Sequence, residues 1–237
     1  MRYAVISDIH GNLEALKKVL RSIKKNKVDE ILCLGDIVGY GPNPNECVER
    51  IRKMDIKAVA GNHEYALADE SLLECFNPIA KEAALWTKGT LKPENLKYLA
   101  CLPFTAKLPD ILLVHGSPIG PRSFDYILNV IEAMSQFHGF EERICFIGHS
   151  HAPMIFSSDG DVFRKSVSLQ EGNRYIINVG SVGQPRDGNS LACYGILDTC
   201  NLTFSFIRVD YNSRKTAKKI INAGLPVFLA ERLLEGR

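Results

Sequence analysis

The first 60 residues alternate short apolar runs with amphipathic segments, and this alternation limits the folds open to the chain. The apolar runs span residues 2–7, 31–34 and 57–60. Between them lie a helix pattern that begins after Asn12 and a second predicted helix over 45–54. Strands that alternate with helices usually pair in parallel, with the helices outside the sheet. The sequence therefore predicts an α/β fold.

From residue 104 onward the pattern changes, and strand-like runs outnumber helices. Strands are predicted over 111–114, 144–147, 154–156, 175–179, 193–197 and 202–209. Helices are predicted over 126–137, 213–223 and 227–234. One small sheet would not hold all these strands. We therefore expect two packed mixed sheets with helices on their outer faces, in a single domain over 1–237.

The segment 65–102 has few β-branched residues and is expected to be helical. Pro78 and Pro93 suit the first turns of two helices within it. The sequence leaves open whether these helices cover one edge of a site or only pack on the sheet.

Composition excludes several classes of partner. The 237 residues include 29 basic and 27 acidic side chains, so the formal charge is only +2. A charge this small gives no indication of tight binding to nucleic acid or to membranes. No segment reaches the ~18 uninterrupted apolar residues of a membrane helix, and no signal peptide is recognisable. The seven cysteines include no C-x-x-C pair. Free thiols in a reducing cytoplasm are therefore expected.

Five of the six histidines lie in short polar clusters that directly follow apolar, strand-like runs. The clusters are Ser7-Asp8-Ile9-His10-Gly11-Asn12, Gly35-Asp36, Gly61-Asn62-His63-Glu64, His115-Gly116 and Gly148-His149-Ser150-His151. Ligands of α/β sheets bind at the carboxyl ends of the strands. We therefore expect the five clusters to meet at one rim of the fold.

The residue types in these clusters are typical of a metal centre. In Asp8-x-His10 and His149-x-His151 the alternation of an extended strand would put both side chains on one side. Histidines, carboxylates and an amide oxygen exceed what one ion needs, so two ions that share the Asp36 carboxylate are indicated. Nitrogen and oxygen ligands without a thiolate favour two divalent transition-metal ions among Mn, Fe, Zn, Co and Ni.

The ordered set Asp-x-His, Gly-Asp, Gly-Asn-His-Glu, His and Gly-His-x-His resembles the calcineurin-like metallophosphoesterase superfamily. Residues 178–186, Asn-Val-Gly-Ser-Val-Gly-Gln-Pro-Arg, resemble its small bacterial and archaeal branch. The resemblance implies a four-layer α-β-β-α sandwich and a phosphoesterase that uses a hydroxide held between two ions. It assigns Asp8, His10, Asp36 and His151 to one ion, and Asp36, Asn62, His115 and His149 to the other. It places His63 at the leaving oxygen of the substrate.

The chain departs from the protein Ser/Thr phosphatases of that superfamily. Gly39 replaces the acid that orients the catalytic histidine, and Glu64 is then the remaining candidate for that task. Tyr40 replaces a phosphate-binding arginine. These departures argue against a phosphoprotein substrate. The residues expected to contact substrate instead are Asn12, Tyr40, Arg122 and Arg186.

Three functions remain open from the sequence. The first is hydrolysis of phosphodiester or phosphoanhydride bonds in a small phosphate ester or nucleotide. The second is hydrolysis of a dinucleoside polyphosphate, because the loop Gly-Tyr-Gly-Pro-Asn-Pro at 39–44 resembles that of diadenosine tetraphosphate hydrolases. The third is a non-catalytic scaffold of the same fold, which the complete set of ligand positions disfavours.

Overall fold

Two six-stranded sheets form the centre of the protein, as seen in a computed structural model that describes residues 1–237. The strands are β1 (Arg2–Ile6), β2 (Glu30–Cys33), β3 (Lys57–Ala58), β4 (Thr105–Leu108), β5 (Ile111–Val114), β6 (Ile144–Ile147), β7 (Met154–Ser157), β8 (Val162–Phe163), β9 (Val167–Ser168), β10 (Tyr175–Asn178), β11 (Ala192–Asp198) and β12 (Thr203–Val209). The first sheet has the order β3-β2-β1-β11-β12-β9, and the second β4-β5-β6-β10-β7-β8.

Both sheets are mixed. In the first sheet β1, β2 and β3 are parallel, and β11 joins β1 in the antiparallel sense. In the second sheet β5, β6 and β10 are parallel, while β4 and β7 are antiparallel to their neighbours. The carboxyl ends of the parallel strands carry the polar clusters found in the sequence.

Helices cover the outer faces of the sheets. The helices are α1 (Leu13–Lys25), α2 (Pro44–Lys53), α3 (Asn62–Ala68), α4 (Pro78–Thr90), α5 (Pro93–Ala100), α6 (Val130–Gln136), α7 (Ser213–Asn222) and α8 (Val227–Glu235). Two 3₁₀ turns span Glu70–Cys75 and Phe137–Gly139. No helix has both the length and the apolar character needed to cross a membrane.

Alternating side chains of the strands build the layers. In β1, Val5 joins Phe146 and Phe204 in the apolar core between the two sheets. Its neighbour Ile6 faces the other way, into the core beneath α1 and α2. Ala133 of α6 packs on the outer face of the second sheet. The predicted α-β-β-α sandwich is confirmed.

Local boundaries differ from the sequence predictions in a few places. The helix predicted over 126–137 begins only at Val130, because the Asn129 side chain accepts a hydrogen bond from the backbone of Glu132 and caps the helix there. The strand β4 was not predicted, and neither were the two-residue strands β8 and β9. The segment 65–102 is helical as predicted, with Pro78 and Pro93 at the starts of α4 and α5.

Candidate metal centre

The loops after β1, β2, β3, β5 and β6 converge at one rim of the sandwich. They bring together seven side chains, six of them buried and that of Asn62 half-buried. The seven are Asp8, His10, Asp36, Asn62, His115, His149 and His151. The convergence predicted from the strand ends is therefore present in the structure.

The backbone that carries these residues is not extended, so the strand-alternation argument for Asp8-x-His10 and His149-x-His151 was wrong. β1 ends at Ile6, and Asp8 and His10 have φ values of 52° and 48°. His149 and His151 have φ values of 66° and 60°. Non-glycine residues in this left-handed region are uncommon and cluster at functional sites. Tight loops, rather than strands, turn these side chains toward a common point.

The donor atoms fall into two groups that share Asp36. One oxygen or nitrogen from each of Asp8, His10, Asp36 and His151 lies within 4.8 Å of the others, and Asp36, His115 and His149 form a second such group. The Asp36 Oδ2 atom is 3.6 Å from His10 Nε2 and 3.2 Å from His115 Nε2. A carboxylate in this position can serve both groups.

Two atoms at the centre lack hydrogen-bond partners, as expected of metal ligands. Asn62 Oδ1 and His115 Nε2 are both buried without a hydrogen bond, because Asp36 Oδ2, at 3.2 Å from His115 Nε2, is not aligned to accept one. Buried polar atoms are nearly always satisfied, so each exception calls for an explanation. A cation bound to both atoms would supply it, and the donor set fits a divalent transition metal.

Backbone carbonyls orient three of the histidines. Each lies near a ring Nδ1 atom: the Val38 oxygen at 3.1 Å from His10, the Leu34 oxygen at 2.7 Å from His115 and the Gln184 oxygen at 2.5 Å from His151. A proton held on Nδ1 by such a contact leaves the Nε2 lone pair free for a metal. The His149 ring instead stacks on Tyr126, with centroids 4.0 Å apart.

Burial and the charges of neighbouring side chains set the protonation of the histidines in the site. Burial lowers the pKa of His149 to about 3 and also lowers the pKa of His10 and of His151. Burial would likewise lower the pKa of His115, but the Asp36 carboxylate outweighs it and raises that pKa to about 9. A metal ion bound to His115 would have to displace this proton, since only the neutral ring is a ligand.

His63 lies beside this centre and is held without an acid partner. Its backbone N–H donates to Asp36 Oδ1 at 3.0 Å, and its buried Nδ1 has no partner. The ring contacts Tyr40 and Phe76, with centroid distances of 4.5 and 5.0 Å. At Gly39 a Cβ atom would lie only 2.3 Å from His63 Nδ1, so no side chain fits at this position. The backbone of Gly39 therefore occupies the space beside His63 where protein phosphatases carry the orienting acid.

Glu64 does not orient His63. Its carboxylate accepts hydrogen bonds from the backbone N–H groups of Asp36, Ile37, Val38 and Gly61, at 2.7, 2.8, 3.2 and 2.9 Å. Glu64 thus ties the Asp36 loop to the start of α3.

The candidate substrate residues take different positions. Asn12 is buried, accepts from Ala15 N–H and Thr216 Oγ1, and donates to the Gly183 carbonyl. These hydrogen bonds hold Asn12 at the cap of α1 and account for its position without a substrate. Tyr40 contacts both His10 and His63.

The two arginines belong to different loops, Arg122 between β5 and α6 and Arg186 between β10 and β11. The Arg186 guanidinium donates to Gln184 Oε1 and lies 5.8 Å from the centroid of the Tyr40 ring. Its charge is among the causes that lower the pKa of His151, after burial. Arg122 lies 4.7 Å from the centroid of the Phe104 ring and lines a pocket next to the candidate metal ligands Asn62 and His149.

That pocket, of about 330 Å³, includes residues that sequence reasoning missed. Phe76 and Leu72 reach it from the segment before α4, and Phe124 and Tyr126 from the loop before α6. None of them belongs to a polar cluster. One sequence signal could have located Tyr126. Asn129 is a favourable capping residue and marks the start of α6, which leaves Tyr126 in the loop before that helix.

Comparison with known proteins places the chain in a family. Residues 1–202 match the model of the calcineurin-like phosphoesterase superfamily domain. The fold, the Asp and His groups and this match define a metallophosphoesterase, an enzyme that hydrolyses phosphate esters. The chain belongs to the calcineurin-like phosphoesterase superfamily.

Three relatives illustrate the similarity. The crystal structure of a metallophosphoesterase from Sphaerobacter thermophilus is 40% identical, with a TM-score of 0.89 over 100% of this chain and 99% of that one. The uncharacterised protein MJ0912 of Methanocaldococcus jannaschii is 42% identical over 99% of this chain and 98% of its own length. The phosphodiesterase YfcE of Escherichia coli is 27% identical over 84% of this chain and 88% of its own length.

Proposed function

We propose that the chain is a binuclear-metal phosphoesterase that hydrolyses phosphodiester or phosphoanhydride bonds. The observation that carries this proposal is the position of Asp36, whose carboxylate belongs to both groups of donor atoms. One ion would be held by Asp8, His10, Asp36 and His151, and the other by Asp36, Asn62, His115 and His149. When bound, such a metal pair supplies an activated hydroxide at neutral pH and neutralises the phosphoryl oxygens.

The residues of the chain have distinct tasks in this scheme. The carbonyl contacts at Nδ1 support Nε2 as the metal-binding atom of three histidines. His63 faces the leaving oxygen. Because burial lowers the pKa of His63 to about 4, its ring is neutral at pH 7 and acts as a hydrogen-bond donor to that oxygen.

A phosphodiester or phosphoanhydride is favoured over a phosphoprotein as the substrate. Gly39, Tyr40 and Ala60 stand where protein phosphatases carry an acid and two arginines, so a bidentate clamp on a dianionic monoester is missing. The relative YfcE is named a phosphodiesterase. Arg186 and Arg122 are the cations proposed to contact the substrate phosphate.

A dinucleoside polyphosphate is the second candidate substrate. The loop at 39–44, with Tyr40 beside His10 and His63, resembles that of diadenosine tetraphosphate hydrolases. A screen of aryl diesters, nucleotide diesters, monoesters and dinucleoside polyphosphates, with Mn²⁺ added, separates the candidates. Preference for dinucleoside polyphosphates selects the second, and no hydrolysis of any ester would refute both.

The His63 assignment is tested by His63→Ala. We expect kcat to fall about 100-fold or more while metal content stays within error of the unmodified protein. Loss of the metal would instead make His63 a ligand. His138→Ala is the matched control, because His138 is exposed and lies on a 3₁₀ turn outside the site.

We also propose that the protein is cytoplasmic and that residues 1–237 form a single domain. The proposed substrates of this domain are small phosphate esters or nucleotides. All seven cysteines are free in the structure, which suits a reducing compartment. The chain contributes to its site from residue 8 to at least residue 186, which supports one functional unit.

A further inference from the structure

An aromatic pocket opens beside the candidate metal centre. Asn62 and His149, two of the proposed ligands, form part of its wall. Its volume of about 330 Å³ lies in the range of small-molecule sites. A group bound there would therefore lie directly next to the reacting phosphate.

The pocket walls are aromatic and carry little charge. Tyr40 and Phe76 line it on the side of His63, and Phe124 and Tyr126 line it near His149. Among the residues that line the pocket, Arg122 has the only permanent charge, and no carboxylate is present. Such walls suit a planar apolar group and would tolerate a nearby negative charge.

The position of His63 indicates which end of the substrate enters. The two rings that contact His63, Tyr40 and Phe76, are also walls of this pocket. If His63 donates to the leaving oxygen, the rest of the leaving group extends along the same rings.

We propose that this pocket is a leaving-group subsite that selects phosphate esters bearing a planar aromatic group. The group is an aryl ring or a nucleobase, which share a flat π face for stacking on Phe76 and Tyr126. This inference rests on the proposed hydrolase function of the adjoining metal centre. It also gives the segment before α4 a role, since Leu72 and Phe76 complete the wall.

The kinetic test compares two substrates that differ only in the base. These are the methyl diesters of adenosine 5′-phosphate and of ribose 5-phosphate, which release chemically similar primary alkoxides. With Mn²⁺ present, we expect kcat/KM to be about tenfold higher for the adenosine ester. Phe76→Leu, which keeps an apolar side chain but removes the ring, should reduce this ratio to about threefold or less.

The ratio separates selection from a general loss of activity. Any disturbance of His63 by Phe76→Leu would lower both rates together and leave the ratio unchanged. Phe163→Leu is the matched control, since Phe163 is also partly exposed but lies on the edge strand β8. It should retain the full preference. Equal kcat/KM values for the two esters in the unmodified protein would contradict a nucleobase subsite while the hydrolase function stands.

A binding measurement decides the inference without turnover. Titration calorimetry of the Mn²⁺-loaded protein compares adenosine 5′-phosphate with ribose 5-phosphate, and phenyl phosphate with cyclohexyl phosphate. A tenfold preference within the first pair identifies a nucleobase site, and a preference within the second pair alone identifies an aryl site. No preference in either pair overturns the subsite. Failure to hydrolyse any ester would refute only the proposed hydrolase function.

Discussion

Glu64 shows how one buried carboxylate can fix the geometry of a site that it does not line. It is 1% exposed, and its two oxygens accept four backbone N–H groups from the Asp36 loop and the start of α3. Burial, followed by the nearby Asp36 charge, raises the pKa of Glu64 to about 7. The hydrogen bonds offset this cost and keep Asp36 in place between the two donor groups.

Glu64→Gln should therefore be severe although it keeps the shape of the side chain. The amide would set an N–H group against backbone donors, and at least one buried N–H would lose its acceptor. We expect the free energy of unfolding to fall by about 2–4 kcal/mol, measured by urea denaturation. Glu74→Gln is the control, because the Glu74 side chain is 76% exposed. A change below about 0.5 kcal/mol for Glu64→Gln would contradict this role.

Gly39 is the second residue whose importance lies in its backbone. Its φ is 90°, and a Cβ atom there would meet His63 Nδ1. Gly39→Ala should displace the His63 ring and lower kcat about 10-fold or more without loss of metal.

Gly160→Ala is the control that separates two effects of Gly39→Ala, the backbone strain at a positive φ and the close contact of the new Cβ atom with His63. Gly160 has a similar φ of 96°, but a Cβ atom there would meet nothing within 4 Å. It should cost about 1 kcal/mol of stability and leave kcat unchanged. Equal kcat values for both alanine variants would show that the close approach of Gly39 to His63 is irrelevant.

At the scale of elements, α7 is tied to α1 through an ion pair and a buried contact. Lys219 Nζ lies 2.8 Å from Glu14 Oε1, and the Glu14 side chain is only 10% exposed. Thr216 on the same helix donates to Asn12, the cap of α1. The C-terminal helices are thereby held against the loop that carries Asp8 and His10.

Lys219→Met should weaken this attachment in a pH-dependent way. Burial alone would raise the pKa of Glu14, but the hydrogen bond and charge of Lys219 outweigh it and lower that pKa. Stability from a lowered glutamate pKa is present above the unfolded value of about 4.3 and is lost as pH falls through the folded value.

We therefore expect Lys219→Met to cost about 0.5–1 kcal/mol at pH 7, and the difference from the unmodified protein to be smaller at pH 3, where Glu14 is more protonated. Denaturant titration at both pH values measures it. Lys218→Met is the control, because Lys218 is exposed and belongs to no ion pair. An equal cost at both pH values would assign the loss to packing and to the hydrogen bond from Lys219 to Asn43, and would contradict a role for Glu14.

At the scale of the whole molecule, the proposed metal site would couple metal binding to folding. Strands of both sheets lead to it, since Asp8 follows the first sheet and His115 the second. Ions bound across this rim would bind the folded state and not the unfolded chain. At an ion concentration 100 times the Kd, such binding adds about 2.7 kcal/mol to stability.

Metal removal should consequently lower the melting temperature. For a chain of this length about 2.7 kcal/mol corresponds to roughly 5–10 °C. Scanning calorimetry with excess Mn²⁺ and after treatment with a chelator measures the shift. Asp36→Asn should lose most of it, whereas Asp69→Asn, an exposed control, should retain it. A shift below about 1 °C in the unmodified protein would argue against a site that joins the two sheets.

The sequence predicted those parts of the molecule that depend on local pattern. The ligand clusters were found because each follows an apolar strand, and the sandwich because the strands were too many for one sheet. The φ values near 50° at Asp8 and His10 were missed, since long-range packing imposes them. Phe76 and Tyr126 were missed for a similar reason: only the tertiary fold brings their distant segments to the pocket. β4 was missed because alternating polar residues such as Thr105 and Lys107 mark a half-exposed edge strand.

The number of metal ions per chain tests the central claim most directly. Equilibrium dialysis against Mn²⁺, followed by metal analysis and electron paramagnetic resonance, gives both the stoichiometry and the spin coupling. Because Asp36 lies in both donor groups, we predict two Mn²⁺ per chain with a spin-coupled spectrum. One ion per chain, or two ions without coupling, would contradict an Asp36-bridged centre.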